Sequence, residues 1–202
     1  MNPIRHVSVA LATLRMRLTR RILAHRIRVR FPTLLCDPTA IWDYGYDDID
    51  AITIGRDVSV AAFAEILVHK RNRNTNIEGK LILGDRVVIS TGANIRAAGG
   101  TISIGEGSAI GQHCVIAAGT HAIRPGVARF NTPFDESRSG VNIGRNVWIA
   151  ANCVVLPGLN IGDNAVISAG SLVSTDVPAG EIWRGVPARK LLTVEQFARF
   201  HG

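Results

Sequence analysis

The chain has 202 residues, 23 of them basic and 16 acidic, and the excess charge is local: residues 1–31 hold eight arginines and no acid, while the remainder is close to neutral. The length suits one sizeable domain, three cysteines argue against a disulfide framework, and no apolar run reaches the roughly 18–20 residues of a membrane-spanning helix. The first 30 residues lack the uninterrupted apolar core and small-residue cleavage site of a secretory leader, so a cytoplasmic setting is expected, with peripheral membrane contact left open.

Residues 4–28 mix Leu, Ile, Val and Met with Arg, which predicts a basic amphipathic helix or helix pair ending before Pro32. Two readings of this arm stand. It is a cap over the first turn of the body with solvated arginines, or it attaches to an anionic membrane surface or lipid-linked acceptor. Nucleic acid is not an expected partner, because no aromatic or fold signature accompanies the charge. Residues 33–53 form a loop-rich entry with Trp42, Tyr44, Tyr46 and five acids between Asp37 and Asp50. The arm and this cap are assigned to residues 1–50.

From 51 to 192 a period of six takes over. Six hexapeptides run from Ile143 to Pro178, with Ile143, Ile149, Val155, Ile161, Ile167 and Val173 at every sixth position. Four residues after each comes Val147, Cys153, Leu159, Ala165, Ser171 or Val177. The same phase holds for units at Ile54, Leu83, Ile89, Ile104, Ile110 and Ile116. Such a period fits neither an amphipathic helix nor a plain alternating strand. It fits short strands joined by tight turns and wound into a β-helix, in which each coil covers its neighbours. The fold class is therefore all-β, with Cys114 and Cys153 as interior packing residues and glycines serving corners that need positive φ. Two polar excursions interrupt the phase, at 69–76 and at 122–142. Residues 179–192 leave the repeat, and a short C-terminal helix is expected at about 193–200, closing a last segment at 193–202.

Strand alternation places His121 and Trp148 on the outer face, since each immediately precedes an inward position. An outward histidine with a long loop starting directly after it is a site candidate, because such a loop can build a pocket wall. His113 reads as a corner or interface residue, and His69 as the start of a basic loop.

The chain resembles the hexapeptide-repeat acyltransferases, and more narrowly the branch of O-acetyltransferases acting on maltose, galactosides, nodulation factors and exopolysaccharides. The matching residues are Gly119-Thr120-His121, the loop, Asn142 to Ala151, Val155-Leu156-Pro157-Gly158, Ile161 to Asn164, Ser168 to Ser171 and Gly185 to Arg189. The resemblance is strong from about 81 to 192. It implies a left-handed parallel β-helix, although crossovers between parallel strands are normally right-handed. It also implies direct acetyl transfer from acetyl-CoA to a hydroxyl of a saccharide or polysaccharide precursor, in a homotrimer with sites between subunits. His121 would be the general base, acting on a poor nucleophile with an imidazole suited to the working pH. By the same resemblance Ala151 would offer a backbone N–H to the oxyanion. Trp148, Ala151, Ala169, Ser174 and Arg189 would line the CoA groove, assisted by Arg184 and Lys190.

Maltose-type enzymes carry an asparagine just after the inward aliphatic residue of an upstream coil; here the register places Ser90 there, with Asn94 as a substitute. Their N-terminal acceptor-binding segment is not recognisable in residues 1–50, so Arg124, Arg129 and Phe134 of the loop are further acceptor candidates. Three alternatives are weighed beside this. N-acetylation of an amino sugar is the nearest. A metal hydratase of the γ-carbonic-anhydrase kind would need three converging imidazoles. His69, His113 and His121 are the nominees, but no histidine follows His121 in the repeat, so no metal is expected. A non-catalytic scaffold is the third.

Overall fold

The computed structural model describes residues 3–128 and 132–201, with side chains from Leu14 onward except Arg17 and His201. Among these residues the strands form three parallel sheets that the chain visits in strict rotation. The first sheet holds Leu35–Cys36, Ser59–Val60, Val88–Ile89, Ala109–Ile110, Trp148–Ile149, Val166–Ile167 and Glu181–Gly185, with Ala188–Thr193 added antiparallel at its end. The second holds Ile41–Tyr44, Glu65–His69, Asn94–Ala98, Val115–Ala117, Val154–Val155 and Leu172–Val173. The third holds Ile52–Ile54, Lys80–Leu83, Thr101–Ile104, Val141–Ile143 and Leu159–Ile161. The result is a left-handed parallel β-helix of triangular section.

The hexad explains the packing. Its first residue points inward and is removed from water: Ile89, Ile110, Ile149, Val155, Ile167 and Val173 are wholly buried. Its fifth residue also points inward where the chain turns and is small or of medium size, from serine and alanine to Val147 and Leu159. Cys114, Cys153 and Ala165 are buried there as free thiols and a methyl. Two serines take the same position and are satisfied. Ser108 Oγ donates to the Gly144 carbonyl at 2.8 Å and accepts from Val147 N–H; Ser171 Oγ donates to the Ser168 carbonyl at 2.6 Å and accepts from Gly185 N–H. A buried hydroxyl costs little once both of its roles are filled.

Glycines serve corners of positive φ as expected, at Gly92, Gly107 and Gly170 among others, and they also do a second job. Positive φ falls at the fourth hexad position, and there Asp57, Phe63, Arg86, His113, Asn146, Asn152 and Asn164 adopt it alongside glycines such as Gly107 and Gly170. The glycine of each Ile-Gly pair instead permits close stacking. A Cβ on Gly105 would lie 2.5 Å from the backbone of Gly144, and one on Gly111 2.6 Å from that of Ala150.

Parallel pairing starts earlier than the boundary at residue 51. Leu35–Cys36 pairs with Ser59–Val60, and Ile41–Tyr44 with Glu65–His69, so residues 35–50 are the first coil rather than part of the arm. The hexad is unreadable there because aromatic residues replace its aliphatics. Trp42 and Tyr44 are buried at the open end of the prism. The arm is a single helix, α1 (Pro3–Arg30). Its C-terminal half caps that end: Leu23 and Ile27 are buried, and Tyr44 Oη donates to the Leu23 carbonyl at 3.0 Å. Toward the other end, Glu181–Gly185 stays in the first sheet, and α2 (Val194–His201) follows. Thr193 and Gln196 start α2 with reciprocal side-chain-to-backbone hydrogen bonds, a capping box.

Candidate active site

The long excursion leaves the edge where the second sheet passes to the third. Its two stems pair antiparallel through a bridge between His121 and Phe134. Ala122 N–H donates to the Pro133 carbonyl and Asp135 N–H to the Thr120 carbonyl. Alternation along a strand is not what presents His121, because the strand ends at Ala117. The ring is presented by the first residues of the loop.

The imidazole is held on two sides. Nδ1 lies 2.9 Å from the carbonyl oxygen of Thr132, a buried residue. A carbonyl can only accept, so Nδ1 carries the proton and Nε2 offers a lone pair. The Phe134 ring meets the imidazole edge to face, with centroids 4.8 Å apart and planes at 78°. Phe134, a candidate for acceptor contact, is thus engaged in seating the histidine. It fits because Gly99 and Gly119 carry no side chain; a Cβ on either would approach its ring to 2.4 and 2.8 Å.

A second loop secures the first. The polar excursion near residue 70 leaves the same edge, where Asn74 accepts from Phe134 N–H at 2.7 Å. Glu136 Oε1 accepts from Thr75 Oγ1 at 2.7 Å and from Asn76 N–H at 2.8 Å. The Thr75 hydroxyl first, then the Asn76 N–H, hold the Glu136 carboxyl below the ordinary 4.5. The anion is the form that latches. The latch is therefore complete above pH 4.5 and is lost as pH falls through the lowered value. Both excursions stand out in the sequence as polar interruptions. Their joining through Asn74, Thr75 and Glu136 has no sequence signal, since the partners are about sixty residues apart.

The other candidates gather elsewhere. Trp148 projects from the first sheet with 57% of its surface exposed. Ala151 and Ala169 stack on the edge between the first and second sheets, where Gly170 N–H donates to the Ala151 carbonyl. Among the described residues, neither the Ala151 nor the Ala169 N–H has a backbone acceptor. At the equivalent position on another edge, the N–H groups of Arg56 and Arg145 are taken by the carboxylates of Asp85 and Asp163. The alanine edge has no such acid, which leaves its donors facing outward. Ser174 follows the last strand of the second sheet, and Arg189 lies exposed on the antiparallel end strand with Nη1 donating to the Ala188 carbonyl. Lys190 is paired with Glu181 at 2.5 Å, and Arg184 is exposed on the neighbouring strand.

Ser90 and Asn94 belong to this alanine edge and not to the histidine. Ser90 follows Ile89 at the turn, and Asn94 begins the next strand with Nδ2 donating to Glu65 Oε2 at 3.0 Å. Asn94 Oδ1 is the buried side-chain polar atom left without a partner among the described residues. Arg124 lies exposed on the long loop, and Arg129 is outside the described residues. His113 is an exposed corner residue against Gly92, and His69 faces Asp43 at 3.9 Å. No three His, Cys, Asp or Glu side chains converge as a metal site among the described residues.

Known proteins place this arrangement. Residues 140–175 match the family model described as bacterial transferase hexapeptide, six repeats. The galactoside O-acetyltransferase of Escherichia coli K12 is 34% identical over 89 residues, 44% of this chain and 42% of that protein. The enzyme of the same name from Lactococcus lactis is 36% identical over 86 residues, 43% of this chain and 40% of that protein. The chain therefore spans less than half the length of these curated relatives in the matched stretch. AntD, an N-acyltransferase from Bacillus cereus solved with dTDP and 3-hydroxybutyryl-CoA, shares the fold with a TM-score of 0.64 at 19% identity, over 84% of this chain and 87% of that one. By its repeat, its three-sided coil and its identity through that coil, the chain is similar to the hexapeptide-repeat transferases, whose repeat residues 140–175 carry.

Proposed function

We propose that the protein is an acetyl-CoA-dependent O-acetyltransferase acting on a hydroxyl of a saccharide or polysaccharide precursor. The observation that carries the reading is the tautomer of His121: Nδ1–H donates to the Thr132 carbonyl, which leaves Nε2 as a base. A base so held removes the proton of an alcohol as its oxygen attacks the thioester carbonyl, and CoA leaves as the thiol. The Ala151 N–H, free of a backbone acceptor, suits the oxyanion of the tetrahedral intermediate. The arginine at 189 suits the coenzyme phosphates. The galactoside O-acetyltransferases are similar at 34% and 36% identity, which favours oxygen over nitrogen as the acceptor atom. AntD, an N-acyltransferase from Bacillus cereus, is similar in fold at 19% identity.

The proposal includes a homotrimer. His121 stands on the edge between the second and third sheets, while Trp148, Ala151 and Ala169 stand on the first sheet and its edge with the second. A strand such as Asn94–Ala98 separates those edges by roughly 13 Å, whereas reacting atoms must come within about 3.5 Å. The histidine of one protomer facing the alanine edge of a second satisfies both, and repetition around a threefold axis closes the ring.

The test is release of free CoA thiol from acetyl-CoA across a panel of oligosaccharides and sugar nucleotides. Turnover with a hydroxyl acceptor supports the assignment. Turnover confined to amino sugars reassigns it to N-acetylation, and no thiol release above hydrolysis with any acceptor overturns it. A further expectation concerns Phe134. Gly119→Ala brings a methyl within 2.8 Å of that ring and 2.7 Å of the Ala98 carbonyl oxygen. The ring has to shift, and the imidazole with it. We expect kcat to fall by roughly a hundredfold, with KM for acetyl-CoA unchanged. Unaltered kcat would show that Phe134 does not seat the base.

A further inference from the structure

Helix α1 carries two apolar stripes, and the β-helix covers one of them. At about 100° per residue, Leu23 and Ile27 lie together on the side packed against the first coil. Leu14, Leu18, Ile22 and Val29 fall within a sector of about 80° on the opposite side of the helix. They are 63%, 57%, 41% and 68% exposed. The same spacing continues in the sequence through Ile4, Val7 and Leu11. Four large aliphatics in one outward row form a patch that water does not favour, and such patches mark contact surfaces.

Charge identifies the occupant. Arg21 and Arg28 border the row on one side and Arg15 on the other. Among the described residues none of Arg15, Arg20, Arg21, Arg28 and Arg30 forms an ion pair. Arg20, Arg21, His25 and Arg28 also line a cavity of about 490 Å³ between the helix and Trp42 of the first coil. A second copy packed row to row would crowd these guanidiniums together, and the chain offers no acid before Asp37 to offset them. A nucleic acid would answer the charge but not the aliphatic row. A bilayer rich in anionic headgroups answers both, taking the aliphatics at the acyl boundary and the arginines at the phosphates.

We propose that the outward face of α1 docks the protein on an anionic lipid bilayer. The aliphatics Leu14, Leu18, Ile22 and Val29 enter the interface, and Arg15, Arg21 and Arg28, which border the row, engage lipid phosphates. The contact does not depend on the acyltransfer reading.

The experiment is cosedimentation of the full chain with vesicles of phosphatidylcholine alone, or of phosphatidylcholine mixed with phosphatidylglycerol. Binding is expected to the mixed vesicles and to weaken with salt. Changing Arg15, Arg21 and Arg28 together to Gln should lower partitioning by roughly a hundredfold. Leu18→Asp with Ile22→Asp should abolish it, with circular dichroism and thermal stability unchanged because both side chains lie outside the core. Three results would overturn the proposal. One is failure of the wild-type chain to bind mixed vesicles. Another is retention of binding by the aspartate variant. The third is loss of a self-associated species in that variant without lipid, or preference for duplex DNA over mixed vesicles, which would assign the face to another occupant.

Discussion

We expect His121→Ala to lower kcat by roughly 10²- to 10⁴-fold, the range lost when a positioned general base is removed. Three features aim the lone pair of Nε2: the Thr132 carbonyl on Nδ1, the edge-to-face contact with Phe134, and the Glu136 latch behind Phe134. The substitution empties that seat without touching the inward hexad residues. The coil should therefore melt within a few degrees of wild type, and acetyl-CoA should bind with unchanged affinity, because the proposed coenzyme contacts are made by the alanine edge and Arg189 rather than by the imidazole. Steady-state thiol release, thermal melting and coenzyme titration on the same preparation check all three. A variant that turns over at the wild-type rate would remove the chemical role from this histidine.

Gly111→Ala has the largest expected effect on the body of the protein. Its new methyl would lie 2.6 Å from Ala150 C, 2.7 Å from Ala151 N and 2.7 Å from Ile149 O, all backbone atoms. Neither coil can yield freely. Gly111 N–H donates to the Ile149 carbonyl at 2.7 Å, and Asn152 N–H donates to the Gln112 carbonyl at 2.8 Å, so the two turns are tied on both sides of the clash. Overpacking of this kind costs about 1–3 kcal/mol. The melting temperature should then fall by roughly 2–10 °C for a chain of this size. The turn that must move carries the Ala151 N–H, so turnover should fall more than stability alone explains. A melting temperature equal to wild type would show that the turns are not in fixed contact.

Much of the body was legible in advance because a period of six has one physical solution. Ile143 through Val177 alternate between an aliphatic that faces inward and a small or medium-sized residue that faces inward at the turn, and those two demands are visible residue by residue. The first coil was not legible. Trp42 and Tyr44 close the open end against α1, and an aromatic lid obeys the shape of that end rather than the hexad. The second role of glycine, close stacking, was missed for a related reason. Positive φ can be met by Asn146, Asn152 or Asn164, but nothing other than hydrogen fits between Gly105 and the backbone of Gly144.

The sequence by itself determined the coil, its inward residues and the outward Trp148, because each depends on neighbours a few residues away, and it nominated His121 as a candidate. Tertiary structure decided what that histidine can do. The proton on Nδ1 is assigned by a carbonyl eleven residues on, and the ring is steadied through Phe134 by a latch between loops about sixty residues apart. It also decided that the alanine edge and the histidine edge are different edges of one prism, and that α1 turns one apolar stripe outward. These relations are set by which coils stack and where loops meet, and no local period encodes contacts across such separations.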